Sequence, residues 1–166
     1  SIDARYALED QADAFLKSYE SRPNRAEPLY QLSCTYRQFQ RPKAAFLMAV
    51  QGLGMSPDSN DILFVDHSVY QWGILDEIAT TAFYVQKYHM GLAACEKLLS
   101  EPYLPVEHRD RIQKNKDVYI KIIEDIQRQQ LQPVVEQQKK IDETIKKYAD
   151  QTTFSKNLNK LQSVKL

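Results

Sequence analysis

The residues of this chain with the most chemical capacity are few and scattered. Three histidines, His67, His89 and His108, lie too far apart in sequence for the short spacings with which a helix or loop presents metal ligands. Asp66 and His67 are adjacent, but neighbours on a helix do not face one another, so a surface or capping role is expected for the pair. The run Asp58-Ser59-Asn60-Asp61 has the oxygen density of a calcium loop without its central glycine or closing glutamate, and reads as a turn with helix-capping side chains. Cys34 and Cys95 sit on apolar helical stretches with no Cys-x-x-Cys or Cys/His spacing around them. They read as small buried thiols in a reducing compartment, and a cytoplasmic location is expected. Glycine-rich phosphate loops and Gly-x-Ser-x-Gly are absent. We therefore expect no catalytic residue, no cofactor and no metal site in this chain, and look for its function on its surface.

Composition narrows the setting in which such a surface would work. The chain has 166 residues, 43% hydrophobic and 27% charged, which suits one folded domain with an appended tail. With 4 Gly and 7 Pro it is too poor in turn formers for a β-sandwich. No apolar run approaches the ~20 residues needed to span a bilayer, and no signal-peptide pattern is visible at the start. The chain begins with Ser rather than Met, which leads us to expect either a piece of a longer parent protein or a processed start. Formal net charge is zero, so there is no general pull toward nucleic acid, and the later lysines are interleaved with acids. Residues 1–105 carry 9 Lys+Arg against 13 Asp+Glu, whereas residues 106–166 carry 13 against 9. Such a split favours a tail that folds back on the body or pairs head to tail with another chain.

Helical periodicity runs through most of the sequence. Leu8, Ala12, Phe15 and Tyr19 predict a helix over residues 3–19, ended by Ser21-Arg22-Pro23-Asn24. Pro28 in a first turn, followed by Leu29, Leu32 and Tyr36, predicts the next helix. A turn at Gln40-Arg41-Pro42 leads to a face of Ala45, Ala49, Gly52 and Leu53, small enough for close helix approach. Residues 58–70 break the pattern, with Ile62-Leu63-Phe64-Val65 ambiguous between strand and helix. A second pair follows. Trp72, Leu75, Ile78, Ala79 and Ala82 form one face, Gln86-Lys87 the turn, and Tyr88, Gly91, Cys95, Leu98 and Leu99 the other. Ile112, Tyr119, Ile122, Ile123 and Ile126 are expected to pack on these helices. Beyond them the chain becomes rich in Gln and charge, with Pro133 inside the pattern. The predicted organisation is a helical domain over residues 1–126 and a helical tail over residues 127–166.

The two pairs align with a register of 46 residues. A plain tetratricopeptide repeat has a period of about 34. The surplus matches the insertion near residues 62–69. The predicted fold is all-α, with antiparallel helix pairs stacked as a short tetratricopeptide-like solenoid before the long tail. Longer strings add to this. Arg25-Ala26-Glu27-Pro28-Leu29-Tyr30, then Asp61-Ile62-Leu63-Phe64-Val65-Asp66 with Val69-Tyr70-Gln71-Trp72, then Leu75-Asp76-Glu77-Ile78-Ala79, Ala94-Cys95-Glu96-Lys97-Leu98-Leu99 and Arg109-Asp110-Arg111-Ile112-Gln113-Lys114-Asn115, resemble one family. It is the tetratricopeptide-like helical region that accompanies family 2 glycosyltransferase domains in bacterial and large-virus proteins. The resemblance spans residues 15–115 and leaves out the Gln-rich tail. It implies a helical accessory region beside a catalytic domain N-terminal to Ser1 in a longer parent; the alternative expectation is that this chain positions that domain's acceptor. The Asp-x-Asp motif and strand–helix alternation of such a catalytic domain are not found in this chain.

In tetratricopeptide solenoids the first helix of each pair lines a groove. The matching positions are Tyr30, Cys34, Arg37 and Gln38, then Asp76, Thr80, Phe83 and Tyr84. Arg37 is expected to clamp a partner's carboxylate through its planar fork, and the aromatics to bury a partner side chain. The competing expectation is that a third helical pair, or the tail, already fills the groove. In the tail, Val134, Ile141 and Tyr148 recur at seven residues with Ile145 between the last two, a narrow stripe that suits a coiled-coil seam or a lone helix laid across a surface, with a frayed, solvated helix as the competing expectation. Phe154, Leu158 and Leu161 extend the amphipathic pattern. A protein or peptide partner, homo-oligomerisation through the tail, no nucleic acid and no membrane span are expected.

Overall fold

The structure is a computed structural model and describes residues 2–57 and 65–162. The turn run Asp58-Ser59-Asn60-Asp61 and the ambiguous Ile62, Leu63 and Phe64 of the expected insertion lie outside the described residues. No strand occurs among the described residues, and the chain is all-helical. It divides into two units, Ser1–Ile123 and Glu124–Leu166.

The first unit begins with α1 (Ile2–Ser21), α2 (Glu27–Gln38) and α3 (Pro42–Gly52). Pro28 and Pro42 fall in the first turns of α2 and α3, where a missing amide leaves no helical bond unmade. Gln40 turns the chain between them with φ at +59°. A π-helical turn (Val69–Gly73) enters α4 (Ile74–Thr81), and a 3-10 turn (Ala82–Val85) leaves it. Gln86, at φ +58°, reverses the chain into α5 (Tyr88–Ser100). The last helix, α6, runs Val106–Gln162, and its first part belongs to this unit.

Helix α1 packs on α2, α2 on α3, α3 on α4 and α4 on α5, and α2 also reaches α4. The core falls on the faces that the periodicity marks. Leu29, Leu32, Ala45, Ala49, Ile78, Ala79, Ala82, Cys95, Leu98, Ile112 and Tyr119 are all buried. Leu53 and Ile126, expected on packed faces, are instead exposed. Leu53 lies one residue past the end of α3 with an extended backbone, so the helical period no longer aims it inward.

Two glycines record how close the helices come. A Cβ on Gly91 would lie 2.2 Å from the Tyr119 ring, so α5 and α6 meet across a bare backbone. A Cβ on Gly52 would lie 2.8 Å from the end of the Ile74 side chain, joining α3 to α4.

The second unit consists of the rest of α6 and the residues that follow it. Among the described residues every side chain from Ile126 onward is exposed. Pro133 lies inside the helix.

Candidate functional site

The groove positions expected from the sequence fall on α2, α4 and the 3-10 turn, and the structure engages most of the charged ones internally. At the centre is Glu77 on α4, 3% exposed. Its carboxylate accepts from Arg37 Nε at 3.0 Å and Nη2 at 2.8 Å, from Ser33 Oγ at 3.0 Å and from the Cys34 thiol at 3.4 Å. Ser33 sits against the Ala45 carbonyl of α3 at 2.9 Å, so one acid ties α2 and α4 together beside α3. The hydrogen bonds to Glu77 raise the Arg37 pKa above its ordinary value. A buried charge is tolerable only when so surrounded. The expectation that Arg37 clamps a partner's carboxylate is thereby corrected: the carboxylate in its fork belongs to α4 of the same chain.

Asp76 and Thr80 are likewise turned to an internal partner. Arg111 of α6 bonds Asp76 Oδ2 at 2.9 Å and approaches Thr80 Oγ1 at 3.4 Å. Tyr30 is half-buried, its ring against Gly73 of the π-helical turn, and burial raises its pKa. Gln38 is exposed at the end of α2. Burial first, then Glu77, pushes the Cys34 thiol up to about 11; burial, then Asp76, pushes Cys95 to about 12. At neutral pH both stay protonated thiols rather than nucleophilic thiolates.

What stays open is aromatic. Phe83 is 44% exposed and Tyr84 52%, their rings edge to face at 5.5 Å. They rim a cleft of about 220 Å³ whose other walls are Ala79, Thr80, Asn115, Val118 and Tyr119. The first part of α6 thus covers one side of the expected groove and leaves the end near the 3-10 turn uncovered. Tyr119 fixes this floor: its hydroxyl donates to the Ala79 carbonyl at 2.9 Å and accepts from the Phe83 amide at 3.1 Å. Neither the π-helical turn nor the role of Glu77 is among the expectations from sequence. A signal for the latter exists there: Ile74, Glu77, Ile78 and Thr81 share one helical face, and an acid within an apolar stripe calls for a buried partner.

A second, larger cleft of about 410 Å³ lies beside the start of α2, with Phe15, Ser18, Arg22, Arg25 and Glu27 on its walls. Arg25 and Glu27 pair across it at 2.6 Å, and Tyr70 of the π-helical turn donates to the same carboxylate. Burial alone would raise the Glu27 pKa, but the bonds from Arg25 and Tyr70 outweigh it and hold it down to about 2. Asp66 caps the turn that follows it, accepting from the Ser68 amide at 3.0 Å and hydroxyl at 2.6 Å. His108 lies against Trp72 with ring centres 5.2 Å apart and the rings tilted by 38°, while His67 and His89 are exposed. Among the described residues no three His, Cys, Asp or Glu side chains gather as metal ligands, and no helix is long and apolar enough to cross a membrane.

In the second unit Val134, Ile141, Ile145 and Tyr148 are all exposed on α6, between 45% and 66%. The side chains of Phe154, Leu158 and Leu161 lie outside the described residues. No protein-family model, curated protein or solved structure matches the chain.

Proposed function

We propose that this chain is a non-catalytic helical scaffold that holds a protein or peptide partner on its first unit and associates with itself through its second. The carrying observation is the contrast within the groove. Its ionic groups are engaged inside the fold, while Phe83 and Tyr84 stand exposed over a cleft with a fixed floor. Exposed aromatics beside a preformed depression are what interface energetics reward. The cleft is smaller than the ~300–1,000 Å³ usual for small-molecule sites and suits a single inserted side chain. The stacking of α2 to α5 as tetratricopeptide-like pairs is our reading of their order and of the 46-residue register. On the resemblance above, the scaffold works beside a glycosyltransferase domain, or positions its acceptor.

Two measurements test this. Purified chain is incubated with nucleotide sugars, acceptors and divalent metal; turnover would sink the scaffold reading. A displayed peptide library is then panned against the chain. Enriched peptides should carry a large apolar anchor and lose binding at least tenfold to Phe83→Ala with Tyr84→Ala, with the melting temperature unchanged. Peptides indifferent to both substitutions would place the contact elsewhere.

A further inference from the structure

We propose that residues 131–152 pair with the same segment of a second copy, as a parallel, in-register, two-stranded coiled coil whose register Gln138 sets. This rests on the self-association half of the reading above and names its geometry. Leu131, Val134, Gln138, Ile141, Ile145, Tyr148 and Thr152 follow one another at alternating steps of three and four residues. That makes three heptads, roughly 33 Å of helix at 1.5 Å per residue. The structure shows this stretch helical throughout and its apolar members exposed, Leu131 at 60% and Ile145 at 61%. An isolated helix draws most of its stability from packing an apolar face, and this one has a face to offer.

Charge points to a second copy rather than a different partner. Of the eight charged residues in the stretch, only Asp142 flanks the seam; the others lie on the opposite side. Flanking charges are what choose a foreign partner in coiled coils, and here those positions hold residues such as Val135, Gln137, Thr144 and Ala149. The seam repels no copy of itself.

The polar layer decides orientation. In a parallel, in-register pair Gln138 meets Gln138, each amide donating to and accepting from the other, and every apolar layer meets its like. In an antiparallel pair that overlaps Leu131 with Tyr148, Gln138 faces Ile141 and is buried without a partner. Sliding that pair so Gln138 meets Tyr148 sets Val134 against Thr152 and breaks the apolar match.

Sedimentation equilibrium of the full chain over a micromolar range should fit twice the 19.3 kDa chain mass. Ile145→Glu should return it to one chain mass with the melting of the first unit unchanged. Gln138→Ile should tighten association at least tenfold and admit assemblies larger than two. Thr152→Cys, mildly oxidised, should cross-link within the dimer, while the unmodified chain does not. A native chain that stays monomeric, a native assembly larger than two, a dimer indifferent to Ile145→Glu, weaker association in Gln138→Ile, or no cross-link in Thr152→Cys would each overturn the proposal. A monomer that still binds peptide through Phe83 and Tyr84 removes the coiled coil alone; a dimer that binds none removes the cleft alone.

Discussion

The Glu77 cluster and the tail seam handle the same problem, a side chain out of keeping with its surroundings, in opposite ways. Glu77 is a charge in an apolar interior, and three neighbouring side chains on α2 turn inward to satisfy it. The seam is a row of apolar side chains exposed to water. The first arrangement is complete, so disturbing it should cost stability. The second is open, so disturbing it should cost association and leave folding alone. The difference teaches where to look for function in a helical chain of this kind: at the groups whose physical needs the fold has left unmet.

Substitutions can break or sharpen that contrast. The largest effect is expected for Glu77→Ala, which takes the carboxylate from the Arg37 guanidinium and the Cys34 thiol and empties a buried position between α2 and α4, while the Ser33 hydroxyl keeps the Ala45 carbonyl. It should destabilise the first unit by about 3 kcal/mol, roughly 10 °C in melting temperature. A change under about 1 kcal/mol would mean that water replaces the carboxylate and the cluster is less closed than its distances imply. Gly91→Ala comes next. Its Cβ would displace the Tyr119 ring and the two hydrogen bonds of its hydroxyl, costing about 2 kcal/mol in thermal or urea unfolding. Gly52→Ala is the control, because the Ile74 side-chain end can rotate away and helix propensity gains offset the crowding; it should stay within about 0.5 kcal/mol.

Acid acts through a different pair. Glu27 has its folded pKa held at about 2, below the ordinary 4.5 that an unfolded chain would show. Stability from this group is therefore present above the unfolded value and lost as pH falls from about 5 toward 2. Glu27→Gln should flatten that acid limb in melts between those pH values, and an unchanged limb would assign it to other carboxylates. The smallest effect is expected for Ile145→Ala. Its side chain is exposed, so the melting of the first unit should shift by less than about 0.5 kcal/mol.

Helix existence and facing were legible in the sequence because both are set locally. Pro28 and Pro42 mark first turns, and the apolar spacing of Leu29, Leu32, Ile78 and Leu98 repeats every turn, so each can be read without knowing what lies opposite. The left-handed residues in the two turns were less visible, because Gln40 and Gln86 stand where glycine or asparagine would be sought. For the site, Phe83 and Tyr84 are exposed, whereas Arg37, Asp76 and Thr80 have partners on other helices of the first unit. Their partners lie 31 to 40 residues away along the chain, and no spacing rule reaches that far.

The sequence by itself determined that the chain is helical, which faces of its helices are apolar, and that a seven-residue pattern runs through the tail, since each follows from the period of the backbone. Only the tertiary structure decided that Arg37 belongs to Glu77 and Arg111 to Asp76, and that Phe83 and Tyr84 remain outside. Burial and charge pairing are properties of two segments at once, and they are fixed only when distant helices meet.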